Sequence, residues 1–144
     1  MYKKIRKASL VPYQKKVDKP WGYEIIYTSD CDPITGKLLH VKAGKRLSLQ
    51  YHDTKEEALC LIKGKAIITL SDSKKKLHEI PMELLKGYFV SKYQIHRITA
   101  ITAIDFIESS TPEKGNTFRL EDDSNRKTET EAMRKKKDRG WKEK

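Results

Sequence analysis

The sequence predicts an all-β fold in which about ten short strands form a sandwich or a barrel. Between Gly22 and Leu120, β-prone segments alternate with turn residues, and no segment keeps helical periodicity over three turns. The chain has 144 residues, of which 37% are apolar, and this composition suits one domain with a single core. The pattern therefore favours two packed sheets or a closed sheet over layers of strands and helices.

Ten segments are rich in leucine, β-branched or aromatic residues and are bounded by turn signals. In the first half of the chain, strands are predicted at Tyr23–Thr28, Lys37–Ala43, Arg46–His52, Ala58–Lys63 and Lys65–Ser71. In the second half, they are predicted at Lys76–Ile80, Tyr88–Ser91, His96–Ala100, Ile104–Ser109 and Phe118–Glu121. Strict alternation of polar and apolar residues marks the third strand, whereas short apolar runs mark the fourth and fifth. Glycine, proline, aspartate and serine occupy the connections, where they favour turns.

The excess positive charge is concentrated at the two ends of the chain. The net charge is +11; Met1–Asp18 has six basic residues and one acidic residue, and Ser124–Lys144 has nine and four. The segment between them is almost neutral. We therefore expect a domain over residues 17–123, a basic N-terminal segment over 1–16 and a charged, flexible C-terminal tail over 124–144. Contact with nucleic acid is expected only through the basic termini.

Cysteine content and hydropathy argue against a secreted or membrane protein. Cys31 and Cys60 are the only cysteines and form no C-x-x-C pair, so a disulfide framework is not expected. No apolar run approaches the roughly 20 residues needed to span a bilayer. The N-terminus also lacks the hydrophobic stretch of a secretion signal. We expect no membrane span and a cytoplasmic location.

The strand predicted at Arg46–His52 places potential metal ligands on one face. Gln50 and His52 are two residues apart and therefore point the same way. The turn that follows reverses the chain, so the next strand brings Glu57 back beside them. An amide oxygen, an imidazole nitrogen and a carboxylate thus converge within one hairpin.

The opposite face of this strand carries Leu47, Leu49 and Tyr51. Such an apolar row on the outside of a domain needs a cover, either the N-terminal segment or a second subunit. We therefore expect a homodimer.

A second histidine from a distant strand would complete a four-ligand site with an open position, as a catalytic metal centre requires. The chain offers His40, His78 and His96. We choose His96, because it follows a glycine-aromatic turn and opens a predicted strand. The donor set suits Zn²⁺ first, with Mn²⁺ and Fe²⁺ as alternatives.

The spacing from Gly44 through Gln50, His52 and Glu57 to Gly64 resembles the first cupin motif. That motif has a glycine, five residues, H/Q-x-H, four residues, a glutamate, six residues and a glycine. More narrowly, KPWGYE, LSLQYH, HR and FRLEDDSNR resemble, in this order, the C-terminal cupin domain of type II phosphomannose isomerases. The resemblance covers about residues 17–126. It implies a jelly-roll β-barrel that holds a divalent metal ion.

The resemblance also implies an activity, the interconversion of mannose 6-phosphate and fructose 6-phosphate. Its metal-ligand positions fall on Gln50, His52, Glu57 and His96. Its C-terminal signature falls on Arg119, Glu121, Asp122 and Arg126. The catalytic candidates are Arg119, Glu121 and Lys45, and the candidates for binding the sugar phosphate are Arg119, Arg126 and Lys55. Arginine suits the phosphate because its planar guanidinium group binds two oxygens at once.

The chain also departs from the family pattern. The family has an arginine where Lys55 stands, and a histidine and an aromatic residue where Ala58 and Leu59 stand. These differences leave two alternatives open: a non-catalytic cupin that binds a metal or a sugar, and another small-molecule cupin enzyme.

Overall fold

The computed structural model describes residues 10–142, which form two antiparallel sheets. Numbered along the chain, the strands are β1 (Lys15–Lys19), β2 (Gly22–Ile26), β3 (Thr35–Val41), β4 (Leu49–His52), β5 (Glu57–Lys63), β6 (Ala66–Ser71), β7 (Leu77–Pro81), β8 (Gly87–Val90), β9 (His96–Ala100), β10 (Ile104–Ser110) and β11 (Thr117–Glu121). The first sheet has the order β1-β2-β3-β10-β5-β8, and the second has β11-β4-β9-β6-β7. The helix α1 (Glu131–Arg134) is a single short turn. Among the described residues, no helix is long and apolar enough to cross a membrane.

The core lies between the two sheets and consists of the inward-facing residues of their strands. Leu39, Leu61 and Phe106 contribute from the six-stranded sheet, and Ile68 and Ile98 from the five-stranded sheet. Each of these side chains is at most 3% exposed. The ten predicted strands all overlap observed ones, which confirms the all-β class.

Strand β1 was not predicted, because its sequence KKVDK carries a single apolar residue among charges. It nevertheless pairs with β2 along its whole length, with Val17 opposite Glu24. Val17 and Lys19 face inward and are buried, whereas Lys16 and Asp18 are exposed. The folded domain therefore begins within the segment that we had counted as a basic N-terminal extension.

The sheet order brings the predicted ligand strands together. β4 lies between β11 and β9, so Gln50 pairs with His96 on one side and with Arg119 on the other. Glu57 opens β5 in the facing sheet. A site between the sheets can thus receive ligands from β4, β9 and β5.

The apolar row that led us to expect a second subunit is partly covered by the chain itself. Leu47 packs against the core, because β4 begins only at Leu49 and strand alternation does not extend back to Leu47. Tyr51 stacks on Phe118 of β11 with ring centroids 4.9 Å apart. The homodimer stays a prediction, with a weaker basis than the sequence suggested.

The C-terminal segment packs against the domain as far as it is described, contrary to the flexible tail that we expected from residue 124. The backbone N–H groups of Thr117 and Glu129 each donate to the other residue's carbonyl at 2.9 Å. Thr130 caps α1, and the Arg139 side chain is only 6% exposed. Charge composition was misleading here, because Arg139 pairs with buried carboxylates that are distant in sequence.

This packing also weakens the expected nucleic-acid contact through the C-terminus. All three arginines counted there pair with carboxylates of the same chain: Arg126 with Asp122, and Arg134 and Arg139 with Glu113 and other acids. Residues 1–9 of the basic N-terminus lie outside the described residues. The nucleic-acid contact stays a prediction.

Candidate metal centre

Three predicted metal ligands meet between the sheets. One ligand atom from each of His52, Glu57 and His96 lies within 4.8 Å of the others, and all three residues are buried. His96 Nε2 is 3.0 Å from Glu57 Oε1, and His52 Nε2 is 3.6 Å from the same oxygen. Two imidazoles and a carboxylate in this arrangement are a common donor set for a divalent transition metal.

Each of the two imidazole rings is fixed by a contact of its Nδ1 atom. His96 Nδ1 donates to the Gln94 carbonyl at 2.9 Å, and His52 Nδ1 is 2.9 Å from Thr117 Oγ1. The two Nε2 atoms are buried, and although both face the Glu57 carboxylate, neither makes a well-aligned hydrogen bond. Because an unpartnered buried polar atom is costly, and because metal-binding imidazoles are usually held through the other ring nitrogen, these residues fit a bound metal ion.

Gln50 lies beside this group, opposite His96 in the β4–β9 pair. Its amide oxygen accepts a hydrogen bond from the Ser48 hydroxyl. A metal ion that took Gln50 as its fourth ligand would therefore share or replace that bond.

The protonation states also suit metal binding. Burial, assisted by the charge of Lys55, lowers the pKa of His52 to about 4. Burial alone would raise the pKa of Glu57, but Lys55 and the two imidazoles bring it well below its usual range. At neutral pH the centre thus offers a neutral imidazole and an ionised carboxylate, the forms that coordinate metals.

Lys55, a predicted substrate ligand, is buried among carboxylates instead. Its Nζ is 3.1 Å from Glu57, 3.3 Å from Glu108 and 3.7 Å from Glu113. Although burial opposes it, these carboxylates raise the pKa of Lys55 above its usual value. Lys55 is therefore a permanent cation that positions Glu57, and it is a poor candidate for carrying a proton or gripping a phosphate.

Two catalytic candidates lie away from the centre. The register of β11 shifts between Arg119 and Glu121, which breaks the alternation that would have aimed both side chains inward. The Glu121 side chain is 63% exposed and pairs with Arg97. Lys45 is exposed on the turn before β4. Glu121 and Lys45 are therefore not placed to act at the centre.

The two remaining arginines do reach the interior. The Arg119 side chain is only 7% exposed, its Nη1 donates to the Lys127 carbonyl at 2.6 Å, and its Nη2 is 3.4 Å from Glu129. Arg126 donates to both carboxylate oxygens of Asp122. These contacts are compatible with two roles of the arginines, binding of a phosphate group and formation of structural ion pairs.

Sequence reasoning missed a set of buried charged residues behind the centre. Its members come from the six-stranded sheet and from the C-terminal segment: Lys19, Glu24, Lys37, Glu108, Glu129 and Arg139. Half-buried Glu113, in the loop after β10, joins them. Alternation along the strands could have predicted that some of these charged residues face inward. Glu108 shares the inward face of β10 with Phe106, and Glu24 shares that of β2 with Ile26.

Two cavities that share four lining residues lie beside the centre. The inner cavity, about 60 Å³, is lined by His52, Gln50 and the buried charges. The outer cavity, about 590 Å³, lies between β11 and the C-terminal segment. Both are lined by Lys19, Arg119, Arg126 and Arg139.

Glu108 differs from the other carboxyl groups of the inner cavity because its pKa is raised rather than lowered. Burial, with a smaller effect of the Glu57 charge, raises its pKa from 4.5 to about 7. Ser110 Oγ donates to Glu108 at 3.1 Å, and Lys55 is its cationic neighbour. At neutral pH this group is close to half ionised.

This pKa predicts a pH-dependent effect of Glu108→Gln in the metal-free chain. Because the folded-state pKa exceeds the unfolded one, the stability that Glu108 contributes is present below 4.5 and is lost as pH rises to 7. The full difference is roughly 3 kcal/mol. We expect the glutamine variant to be more stable than the parent at about pH 8 and equally stable near pH 4, as measured by urea unfolding. Equal stability at both pH values would contradict the assignment.

The geometry described above agrees with one comparison of the sequence. The family model described as "Mannose-6-phosphate isomerase C-terminal" matches residues 6–127. The chain belongs to this family. The family match ends before α1, so the docked segment 128–142 lies outside it. No curated protein matches the chain.

Solved structures show the fold of this Mannose-6-phosphate isomerase C-terminal family member. The capsular polysaccharide assembling protein CapF from Staphylococcus aureus is 15% identical, with a TM-score of 0.62, over 83% of this chain and 32% of its own. A variant of Bacillus subtilis oxalate decarboxylase is 17% identical, with a TM-score of 0.68, over 81% of this chain and 34% of its own.

The Lactobacillus farciminis oxalate decarboxylase is also similar, at 19% identity and a TM-score of 0.66, over 81% of this chain and 38% of its own. The chain therefore spans about a third of the length of these proteins. At such low identity the likeness shows the fold, and it confirms the predicted cupin jelly roll.

Proposed function

We propose that this chain is a metal-dependent isomerase that interconverts mannose 6-phosphate and fructose 6-phosphate. The observation that carries the proposal is the buried group of His52, Glu57 and His96, with two unpartnered Nε2 atoms, beneath cavities lined by arginine and lysine. Membership of the Mannose-6-phosphate isomerase C-terminal family supports the substrate class.

The metal ligands in this proposal are His52, Glu57 and His96, with Gln50 as the fourth. Zn²⁺ is the first expectation for this donor set, and Mn²⁺ and Fe²⁺ are the alternatives. A bound ion would supply Lewis acidity to the C1 and C2 oxygens of an open-chain sugar and would acidify its C2 proton.

Glu108 is the proposed proton carrier between C1 and C2. It lines the inner cavity with Gln50 and His52, and a pKa of about 7 suits a general base at neutral pH. Lys55 and Ser110 hold its carboxylate in place. Lys55 also contacts Glu57, so one cation positions both the proton carrier and a metal ligand.

Arg119 and Arg126 are the proposed phosphate ligands, because both residues line each of the two cavities. A phosphate in the outer cavity would leave the reacting end of the sugar directed toward the centre. Their guanidinium groups suit a phosphate through paired N–H donors.

The size of the inner cavity favours a second candidate function, a non-catalytic cupin that binds a metal or a sugar. The inner cavity has about 60 Å³ and is lined by charges that are already paired. Pockets for small molecules typically measure roughly 300–1,000 Å³. Turnover of a hexose phosphate therefore requires the lining side chains to move.

An isomerase assay distinguishes the two candidates. With metal-loaded protein and mannose 6-phosphate, we expect fructose 6-phosphate to form, and Glu108→Gln to lower kcat by about 10²- to 10⁴-fold without loss of metal. Glu79→Gln, on the exposed strand β7, is the matched control and should keep the parental rate. Full metal occupancy without turnover would favour the binding module, and an active Glu108→Gln variant would exclude Glu108 as the proton carrier.

A further inference from the structure

The outer cavity is formed where β11 meets the C-terminal segment, most of which lies beyond the family match. Its volume of about 590 Å³ is within the usual range for a small-molecule site. No carboxylate lines it among the described residues, whereas six cationic side chains do: Lys19, Arg119, Arg126, Lys127, Arg139 and Lys142. The chemistry of this lining suits an anion.

Carboxylates near these cations do not fill the cavity. Glu129 and Asp122, which pair with Arg119 and Arg126, have side chains that are each 7% exposed. Asp138 lies 3.8 Å from Lys142, whose own side chain is 85% exposed. The cavity surface therefore keeps its cationic character although ion pairs lie beneath it.

Two buried guanidinium groups of this lining have a donor without an acceptor. Arg119 and Arg139 are more than nine-tenths buried, and the Nε atom of each has no hydrogen-bond partner. Their Nη atoms are engaged, Arg119 Nη1 with the Lys127 carbonyl and Arg139 Nη1 with Glu24 at 3.0 Å. A buried N–H group without an acceptor is costly, so an oxygen-bearing ligand toward which these guanidinium groups turned would offset that cost.

A turn at Gly140 places the end of the C-terminal segment against the outer cavity. Gly140 has φ +81°, and a Cβ there would lie 2.6 Å from Met133 Cγ. Glycine therefore permits the turn that sends Arg139 inward while Trp141 and Lys142 line the outer cavity. Trp141 offers an aromatic surface beside the cations.

We propose that residues 139–142 complete an anion site in the outer cavity that takes the phosphate group of a phosphorylated ligand. Arg119 and Arg139 contribute guanidinium groups to its wall, Lys142 adds a cation at the rim, and Trp141 packs against the remainder of the ligand. The assignment of that remainder to a sugar rests on the proposed function, whereas the phosphate site itself does not.

The test uses the full chain in EDTA, titrated with inorganic phosphate, mannose 6-phosphate and mannose. We expect phosphate and mannose 6-phosphate to bind by calorimetry and to change tryptophan fluorescence, with mannose at least tenfold weaker. Lys142→Ala should weaken phosphate binding about two- to fivefold, as expected for one exposed cation. Lys137→Ala removes a cation of the same segment that does not line the outer cavity, and it should bind like the parent.

Trp141→Phe should abolish the fluorescence change while calorimetry still reports phosphate binding, because Trp21 does not line the outer cavity. Absence of phosphate binding, or equal affinities in the Lys142→Ala and Lys137→Ala variants, would overturn the proposal. Phosphate binding without isomerase activity would leave this site standing and remove the proposed function. Tighter binding of mannose 6-phosphate than of inorganic phosphate would assign the site to a sugar phosphate, and equal binding would restrict it to the phosphate group.

Discussion

Replacing His96 with alanine is expected to lower the metal content of the purified chain from about one ion to almost none after dialysis against a weak chelator. His96 supplies one of the two unpartnered Nε2 atoms, 3.0 Å from Glu57. Loss of a direct ligand should reduce affinity by more than the roughly 10- to 100-fold typical of residues that only support a ligand. The measurement is metal per chain by elemental analysis.

The other histidines provide matched controls. His78 is exposed and pairs with Asp72, and His40 pairs with Asp105 at 2.6 Å. His78→Ala and His40→Ala should therefore keep the parental metal content. Equal occupancy in the His96→Ala variant and the parent would remove His96 from the centre, and with it the principal support for a metal-dependent activity.

Replacing Arg139 with alanine is expected to lower the free energy of unfolding by about 3 kcal/mol. Arg139 lies 3.0 Å from Glu24 and also pairs with Glu113, so its removal leaves buried carboxylates with less compensation. We expect the lower end of the range for a broken buried pair, because Lys19 and Lys37 still accompany Glu24. Urea unfolding of the metal-free chain, followed by circular dichroism, measures the change.

Two further variants show whether this loss comes from the buried carboxylates. Lys137→Ala removes an exposed cation of the same segment and should leave the unfolding midpoint unchanged. Adding Glu113→Gln to Arg139→Ala should recover part of the lost stability, because one uncompensated charge disappears. If Arg139→Ala unfolded at the same midpoint as Lys137→Ala, the C-terminal segment would not be part of the fold.

Local pattern was sufficient for ten of the eleven strands and for most of the candidate centre. Alternation along a strand and turn residues between strands act over a few residues, so they predicted the hairpin that joins Gln50 and His52 to Glu57. His96 lies 44 residues after His52, and its place came from the family resemblance together with the turn that precedes it. The structure supplies the reason, since β4 and β9 are neighbours and Gln50 pairs with His96.

Period, spacing and family resemblance in the sequence therefore determined an all-β cupin and the three residues that meet at the candidate metal centre. Only the tertiary structure decided that Glu108 is buried beside Lys55, that a register shift turns Glu121 outward, and that Arg139 docks on Glu24. The last pair is separated by 115 positions. Whether a charged residue is solvated or buried depends on which distant carboxylate it meets, and this depends on strand order and register rather than on neighbouring residues.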